Sequence, residues 1–253
     1  MRMKMGHGDT GVNIVGPSSK KILIPAAGFG TRVGSPPAKE LLINPLTQRP
    51  LIEFAFSIAE ELNVEAHVIS RTEKTLLNHY LAHRGVSYQA IASSRDWPES
   101  LVLSCDFWSE YNVVLLPDTE FAPISVVKEI FDLLEFKQNS SVFATFHHVP
   151  FAALNTWGCV WKEGEMAFGW EKPNLSSFPD PSSTDRSITS IPSIKPWGVF
   201  GFSKNVGVEL LTNMLDSSQG KHAYRLPHKT QFIDLDSFSD LTRQKYPSHP
   251  EEA

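Results

Sequence analysis

The sequence predicts an α/β protein built on a mainly parallel sheet with helices on both faces, and three observations carry that expectation. First, Lys20-Lys21-Ile22-Leu23-Ile24-Pro25 is an apolar run of strand length that ends in a turn of small residues, Ala26-Ala27-Gly28-Phe29-Gly30. Second, short apolar and β-branched runs recur at 66–70, 86–91 and 113–119. Third, the segments between them carry helical rather than alternating spacing.

Taken in order, residues 1–19 lack periodicity and read as a flexible lead-in. Leu51, Phe54, Ala55, Ile58 and Leu62 form a helical stripe after Arg49-Pro50. A polar helix is expected around 74–83, and the clearest later strand, Val113-Val114-Leu115-Leu116-Pro117, stops at Asp118. Residues 125–136 read as a helix and 141–147 as a strand. Trp157 to Trp161 and Met166 to Trp170 read as two strands about a Gly-containing turn that delivers Glu171-Lys172-Pro173. Residues 174–196, rich in Ser, Pro and Asp, read as a long loop. A strand at 197–202, a helix at 206–215, a strand at 231–236 and a short helix at 237–241 complete the pattern.

The 253 residues suffice for one domain, expected over 20–245 with a loop insertion near 174–196 and a tail at 246–253. Hydrophobic residues make up 41% and the formal net charge is -5, which argues against nucleic acid as the main partner and makes any anion site local. No run approaches the roughly 18 apolar residues of a membrane span. The N-terminal residues lack the apolar core of a signal peptide. The two cysteines, Cys105 and Cys159, show neither a disulfide framework nor metal spacing, so a cytoplasmic location is expected.

The chemistry concentrates on the first turn. Glycine lets backbone N–H groups approach an anion, and Arg32 and Lys39 add full positive charge within a few residues. Val33 occupies the last position of a GxGxxG pattern and no Gly-Lys-Ser/Thr follows, so neither the dinucleotide fingerprint nor a Walker P-loop fits. Ligands of open α/β sheets sit beyond the carboxyl ends of the strands, which places Asp118 at the same rim as Gly28. Alternatively, Asp118 opens a turn or caps the helix beginning near Ser125. Glu171 and Lys172 read either as a solvated charged pair or as site residues, and Asp236 reads as a cap for the helix at 237–241 in preference to a group assisting a metal. His147-His148 has no third ligand at metal spacing, and Trp157, Trp161 and Trp170 read as packing residues.

Six stretches in order resemble the sugar-1-phosphate nucleotidyltransferases, also called NDP-sugar pyrophosphorylases. They are Ala26-Ala27-Gly28-Phe29-Gly30-Thr31-Arg32, Pro37-Ala38-Lys39-Glu40-Leu41-Leu42, Arg49-Pro50-Leu51-Ile52, Leu115-Leu116-Pro117-Asp118, Glu171-Lys172-Pro173 and Phe232-Ile233-Asp234-Leu235-Asp236. The Lys-Glu-Leu-Leu and Leu-Leu-Pro-Asp wording looks most like the bacterial UTP-glucose-1-phosphate uridylyltransferases.

The resemblance implies a Rossmann-like three-layer sandwich of the nucleotide-diphospho-sugar transferase, GT-A type. It also implies transfer of NMP from an NTP to a sugar 1-phosphate with release of pyrophosphate. Residues carried over as nucleotide-binding are Ala26, Ala27, Gly28, Gly30, Thr31, Arg32, Lys39, Pro98 and Ser100. Gly158, Glu171, Lys172 and Gly198 carry over to the sugar phosphate, and Asp118 and Asp234 to one Mg²⁺. Arg32, Lys39, Asp118 and Lys172 are the catalytic set. The implied partners are an NTP and a sugar 1-phosphate, with homo-oligomerisation left open.

Two features depart from the family. The Arg32 to Lys39 spacing is closer to that of cytidylyltransferases acting on polyol phosphates or phosphonates, and Ser100 stands where the base-reading loop usually has glycine. A CTP-dependent enzyme and a non-catalytic nucleotide-binding paralogue are the competing readings.

Overall fold

Strand β1 (Lys20–Pro25) is the middle of a parallel array because its side chains alternate between two buried layers. Ile22 and Ile24 enter one apolar cluster and Leu23 the other, so both faces of the strand are covered. The computed structural model describes residues 19–28, 38–146, 157–173, 194–217 and 222–240. Gly30, Thr31 and Arg32, the His147-His148 pair, most of the 174–196 loop, the tail, and all but the last residue of the 1–19 lead-in lie outside the described residues.

After a single 3-10 turn at Lys39–Leu41 come α1 (Glu53–Leu62), β2 (Glu65–Arg71), α2 (Thr75–Arg84) and β3 (Ser87–Ile91). Then follow α3 (Trp97–Val102), β4 (Tyr111–Val114), β5 (Thr119–Ala122), α4 (Ser125–Phe136) and β6 (Ser141–Thr145). The chain continues with β7 (Gly158–Glu163), β8 (Met166–Glu171), β9 (Lys195–Ser203), α5 (Lys204–Ser217), β10 (Tyr224–Arg225), β11 (Gln231–Asp234) and β12 (Ser237–Asp240).

Strands β3, β2, β1 and β4 pair in parallel. Antiparallel β9 separates β4 from β6, and β11 pairs in parallel with β6 at the far side. β4, β6 and β11 therefore point the same way as β1, and their carboxyl ends share one edge. The start of β9 also pairs with β7, which continues into β8 and β10. Helices α1, α2 and α4 cover one face; α3 and α5 cover the other, over Trp197, Phe200 and Phe202.

Local chemistry accounts for the ends. Helix α1 stops at Asn63 and α2 at Gly85, both left-handed with their N–H groups returned to the last turn. Helix α4 buries Val126, Val127, Ile130, Phe131 and Leu134, a stripe at helical spacing. No described helix is long and apolar enough to cross a membrane.

The helix expected at 237–241 is not formed over its described residues, 237–240. Residues 237–240 are β12, antiparallel to β5, and Asp236 donates its N–H to the Ala122 carbonyl at 3.0 Å. Asp236 thus opens a strand instead of capping a helix. Asp118 lies in the turn between β4 and β5, so the reading of it as the cap of α4 also fails, since the N-cap position there is Ile124. The Trp residues pack as expected, with Trp161 and Trp170 both buried.

Candidate active site at the carboxyl edge of the sheet

Ala26 and Ala27 leave β1 fully packed, and Gly28 emerges exposed, with no atom of the described residues beyond its chain neighbours within 4 Å of where a Cβ would stand. Two cations from the end of β2 hold the turn from beneath. Lys74 Nζ donates to the Ala26 carbonyl at 2.8 Å, and Arg71 Nε donates to the Ala27 carbonyl at 3.0 Å. Lys74 also pairs with Glu40 at 2.7 Å, and both are buried. Burial pulls the Lys74 ammonium below its ordinary value while Glu40 pulls it back.

Lys39, in the 3-10 turn, reaches Asp118 Oδ2 at 2.5 Å. The expectation that Asp118 faces the rim occupied by the first turn holds, because β4 lies beside β1 and Leu115 still donates to the Leu23 carbonyl at 3.0 Å. Asp234 ends β11 on the same edge, where it accepts from Lys195 Nζ at 2.9 Å and from Thr145 Oγ1 at 3.3 Å. Three strand spacings separate β4 from β11, about 14 Å. The antiparallel β5–β12 ribbon joins the segments that follow the two carboxylates, with Thr119 opposite Asp240 and Ala122 opposite Ser237. Asp118 and Asp234 thus share one rim, each paired with its own lysine. No group of three His, Cys, Asp or Glu side chains placed to hold a metal occurs among the described residues.

The residues expected at the sugar phosphate form a second group. Glu171 is 3% exposed, not a solvated charge. Its Oε1 accepts from Trp197 Nε1 and from the Tyr224 hydroxyl, both at 3.2 Å, and its N–H donates to Ser217 Oγ at 3.0 Å. Burial pushes the Glu171 carboxyl up to about 7, against the downward pull of those two donors and of Lys172. Lys172 is exposed, sits in the left-handed region at φ 50, and donates its N–H to the Trp157 carbonyl at 2.9 Å. Its Nζ lies 3.8 Å from Asp96, the N-cap of α3. Gly198 is buried in β9 beside Trp197.

Gly158 has a more specific reason to be glycine than open approach to a ligand. A Cβ there would stand 2.1 Å from Trp197 Nε1 and 2.6 Å from Glu171 Oε2. Gly158→Ala is expected to push the indole off Glu171 and lower stability by at least about 1 kcal/mol. Denaturant unfolding followed by tryptophan fluorescence checks this; an unchanged midpoint would refute it.

Pro98 and Ser100 do not form an open loop. Both are buried in α3, where proline is tolerated in the first turn, and Ser100 Oγ donates back to the Trp97 carbonyl at 2.6 Å. Sequence reasoning missed Arg71, Lys74, Asp96, Trp197 and Tyr224. The first two carried a usable signal: basic residues at the end of a predicted parallel strand fall on the ligand-binding edge.

No family model and no curated protein matches the sequence. Solved structures do match it in fold. A Bacillus anthracis protein assigned as a glucose-1-phosphate thymidylyltransferase, in complex with sucrose, aligns with a TM-score of 0.62 at 15% identity, covering 90% of this chain and 92% of its own. A UDP-glucose pyrophosphorylase from Acinetobacter baumanii gives 0.59 at 16% identity, with 88% of each chain covered. A CMP:2-keto-3-deoxy-manno-octonic acid synthetase complexed with CTP gives 0.61 at 14% identity, covering 88% of this chain and 93% of its own. The chain therefore has the Rossmann-like α/β fold of these nucleotidyltransferases.

Proposed function

We propose that the protein is a nucleotidyltransferase that joins an NMP to a sugar 1-phosphate and releases pyrophosphate. The observation that carries this reading is the meeting of the Gly28 turn, Lys39 and Asp118 at the carboxyl edge of the sheet, in a fold shared with enzymes of that reaction class. A sugar-phosphate oxygen attacking the α-phosphorus of an NTP needs alignment and charge neutralisation more than a side-chain nucleophile. The first turn supplies backbone donors, and Lys39 supplies positive charge beside the departing pyrophosphate. Arg32 is assigned there by the motif it completes. Lys172 holds the acceptor phosphate.

Mg²⁺ is the cofactor this reading expects. Asp118, whose Oδ1 accepts no hydrogen bond among the described residues, would offer it a hard carboxylate oxygen, with Asp234 on the same rim. When bound, Mg²⁺ polarises the α-phosphate and offsets charge on the attacking and leaving oxygens.

A CTP-dependent reaction with a polyol phosphate or phosphonate is the second reading. The short Arg32 to Lys39 spacing favours it, as does the engagement of Glu171 Oε1 by Trp197 and Tyr224, which leaves that oxygen committed before any sugar hydroxyl arrives. One assay tests both readings: pyrophosphate release from ATP, CTP, GTP, UTP and dTTP against panels of sugar 1-phosphates and polyol phosphates, with and without Mg²⁺. Release from one NTP and acceptor pair is expected, and its absence across the whole panel would refute both. With the active pair, Lys172→Ala is expected to raise the acceptor KM about 10- to 100-fold, the value of a lost charged hydrogen bond, and the NTP KM far less. Equal effects on the two would remove Lys172 from the acceptor site.

A further inference from the structure

We propose that Lys74 and Arg71 are positioning residues for polyphosphate, which aim the amides of Ala27 and Gly28 by gripping the carbonyls of the same peptides. This inference rests on the nucleotidyltransferase reading and adds to it two residues that the motif resemblance does not cover.

In a trans peptide the C=O and N–H point in opposite directions. The peptides of the first turn are trans, since among the described residues the cis bond is Ala122-Pro123. With the Ala26 carbonyl on Lys74 Nζ, the Ala27 N–H points away from the end of β2; with the Ala27 carbonyl on Arg71 Nε, so does the Gly28 N–H. Neither amide makes a hydrogen bond among the described residues. Two successive amides turned the same way form an anion-binding concavity.

The clamp reaches further than the turn. Glu40, paired to Lys74, follows Lys39 directly, and its carbonyl accepts from the Ile52 N–H at 3.1 Å. One buried ion pair thereby sets both the amides of the turn and the backbone that carries the Lys39 ammonium to Asp118. Arg71 Nη2 also donates to the Ser94 carbonyl at 3.1 Å, tying in the chain ahead of α3. Stability alone gives little reason for such a pair. A buried ion pair pays desolvation that apolar residues of similar volume avoid, and Glu40 Oε2 is buried without a partner among the described residues.

The test is titration of the full-length protein with inorganic tripolyphosphate by calorimetry, alongside thermal melting and separate KM values for NTP and acceptor. The double variant Glu40→Gln/Lys74→Met removes both buried charges together. It is expected to melt cooperatively, to bind tripolyphosphate at least about tenfold more weakly, and to raise the NTP KM with the acceptor KM within about twofold. Lys74→Arg, which keeps a donor near Ala26, is expected to recover part of the affinity. If the double variant does not melt cooperatively, Arg71→Lys decides, because it keeps the charge but loses the fork that reaches Ala27 and Ser94 together. Weaker tripolyphosphate binding by that variant supports the clamp, and unchanged binding overturns it. A folded double variant with wild-type affinity, or an equal rise in both KM values, also overturns the clamp while leaving the proposed function standing. Wild-type protein that binds no tripolyphosphate overturns both.

Discussion

Asp118→Asn is expected to reduce pyrophosphate release by about 10²- to 10³-fold while the melting temperature stays close to that of the wild type. The substitution keeps the volume and an oxygen that still accepts from Lys39, so the turn between β4 and β5 has no steric reason to move. What it removes is a full negative charge at the rim. Without it, Lys39 loses its counter-charge, and a divalent cation loses the more enclosed of its two candidate carboxylates, since Asp234 is 61% exposed at the side chain and Asp118 11%. The ion pair is largely enclosed, with Lys39 19% and Asp118 11% exposed at the side chain, so the melting curve reads the stability held in it. Pyrophosphate release by the active substrate pair, measured beside a melting curve, separates the two effects. Full activity in Asp118→Asn would reject the assignment of Asp118.

The elements legible in the sequence were those whose burial is local. Helix α4 spans 125–136 as its apolar stripe predicts, and β1, β2, β3 and β6 fall where apolar β-branched runs place them. What could not be read is what depends on distant partners. Ser237-Phe238-Ser239-Asp240 after Asp236 has the composition of a capped helix start, yet it becomes a strand because β5 offers it an antiparallel edge. The four residues of β5 have no pattern of their own, and the family resemblance placed a base-reading loop where α3 begins.

The site divides in the same way. Lys39 and Asp118 were legible because a parallel sheet collects the carboxyl ends of its strands on one edge, so two motifs far apart in the chain had to converge. The burial of Glu40, Lys74 and Glu171 was not legible, since a charged residue at a helix start or strand end normally reads as solvated. Only the packing of α2 against the sheet and of Trp197 and Tyr224 around β8 takes these groups out of water.

Glu171→Gln is expected to make the protein more stable than wild type at pH 8 and to leave it nearly unchanged at pH 4.5. The carboxyl rises from 4.5 when unfolded to about 7 when folded, with burial as the largest cause. Between those values the native state therefore holds a proton that the unfolded chain has lost. A folded pKa above the unfolded one contributes stability that is full below pH 4.5 and is lost as pH rises through 7. The groups around it do not reverse this sign: Trp197, Tyr224 and Lys172 favour the ionised form against the larger effect of burial, and Asp96 adds to burial by disfavouring it.

Glutamine keeps an acceptor for the Trp197 and Tyr224 donors but cannot ionise, so the variant escapes a penalty of about 3 kcal/mol above pH 7. Denaturant unfolding of both proteins at pH 4.5, 6 and 8 reads this directly, and a difference that does not grow with pH would show that Glu171 ionises at its ordinary value. The functional consequence falls on the acceptor site proposed at Lys172. Near pH 7 Glu171 passes from a group that can donate a proton to one that only accepts, directly beside Lys172. The acceptor KM of the wild type is therefore expected to vary more between pH 6 and 8 than that of the glutamine variant, in which the titration of the acceptor phosphate itself remains.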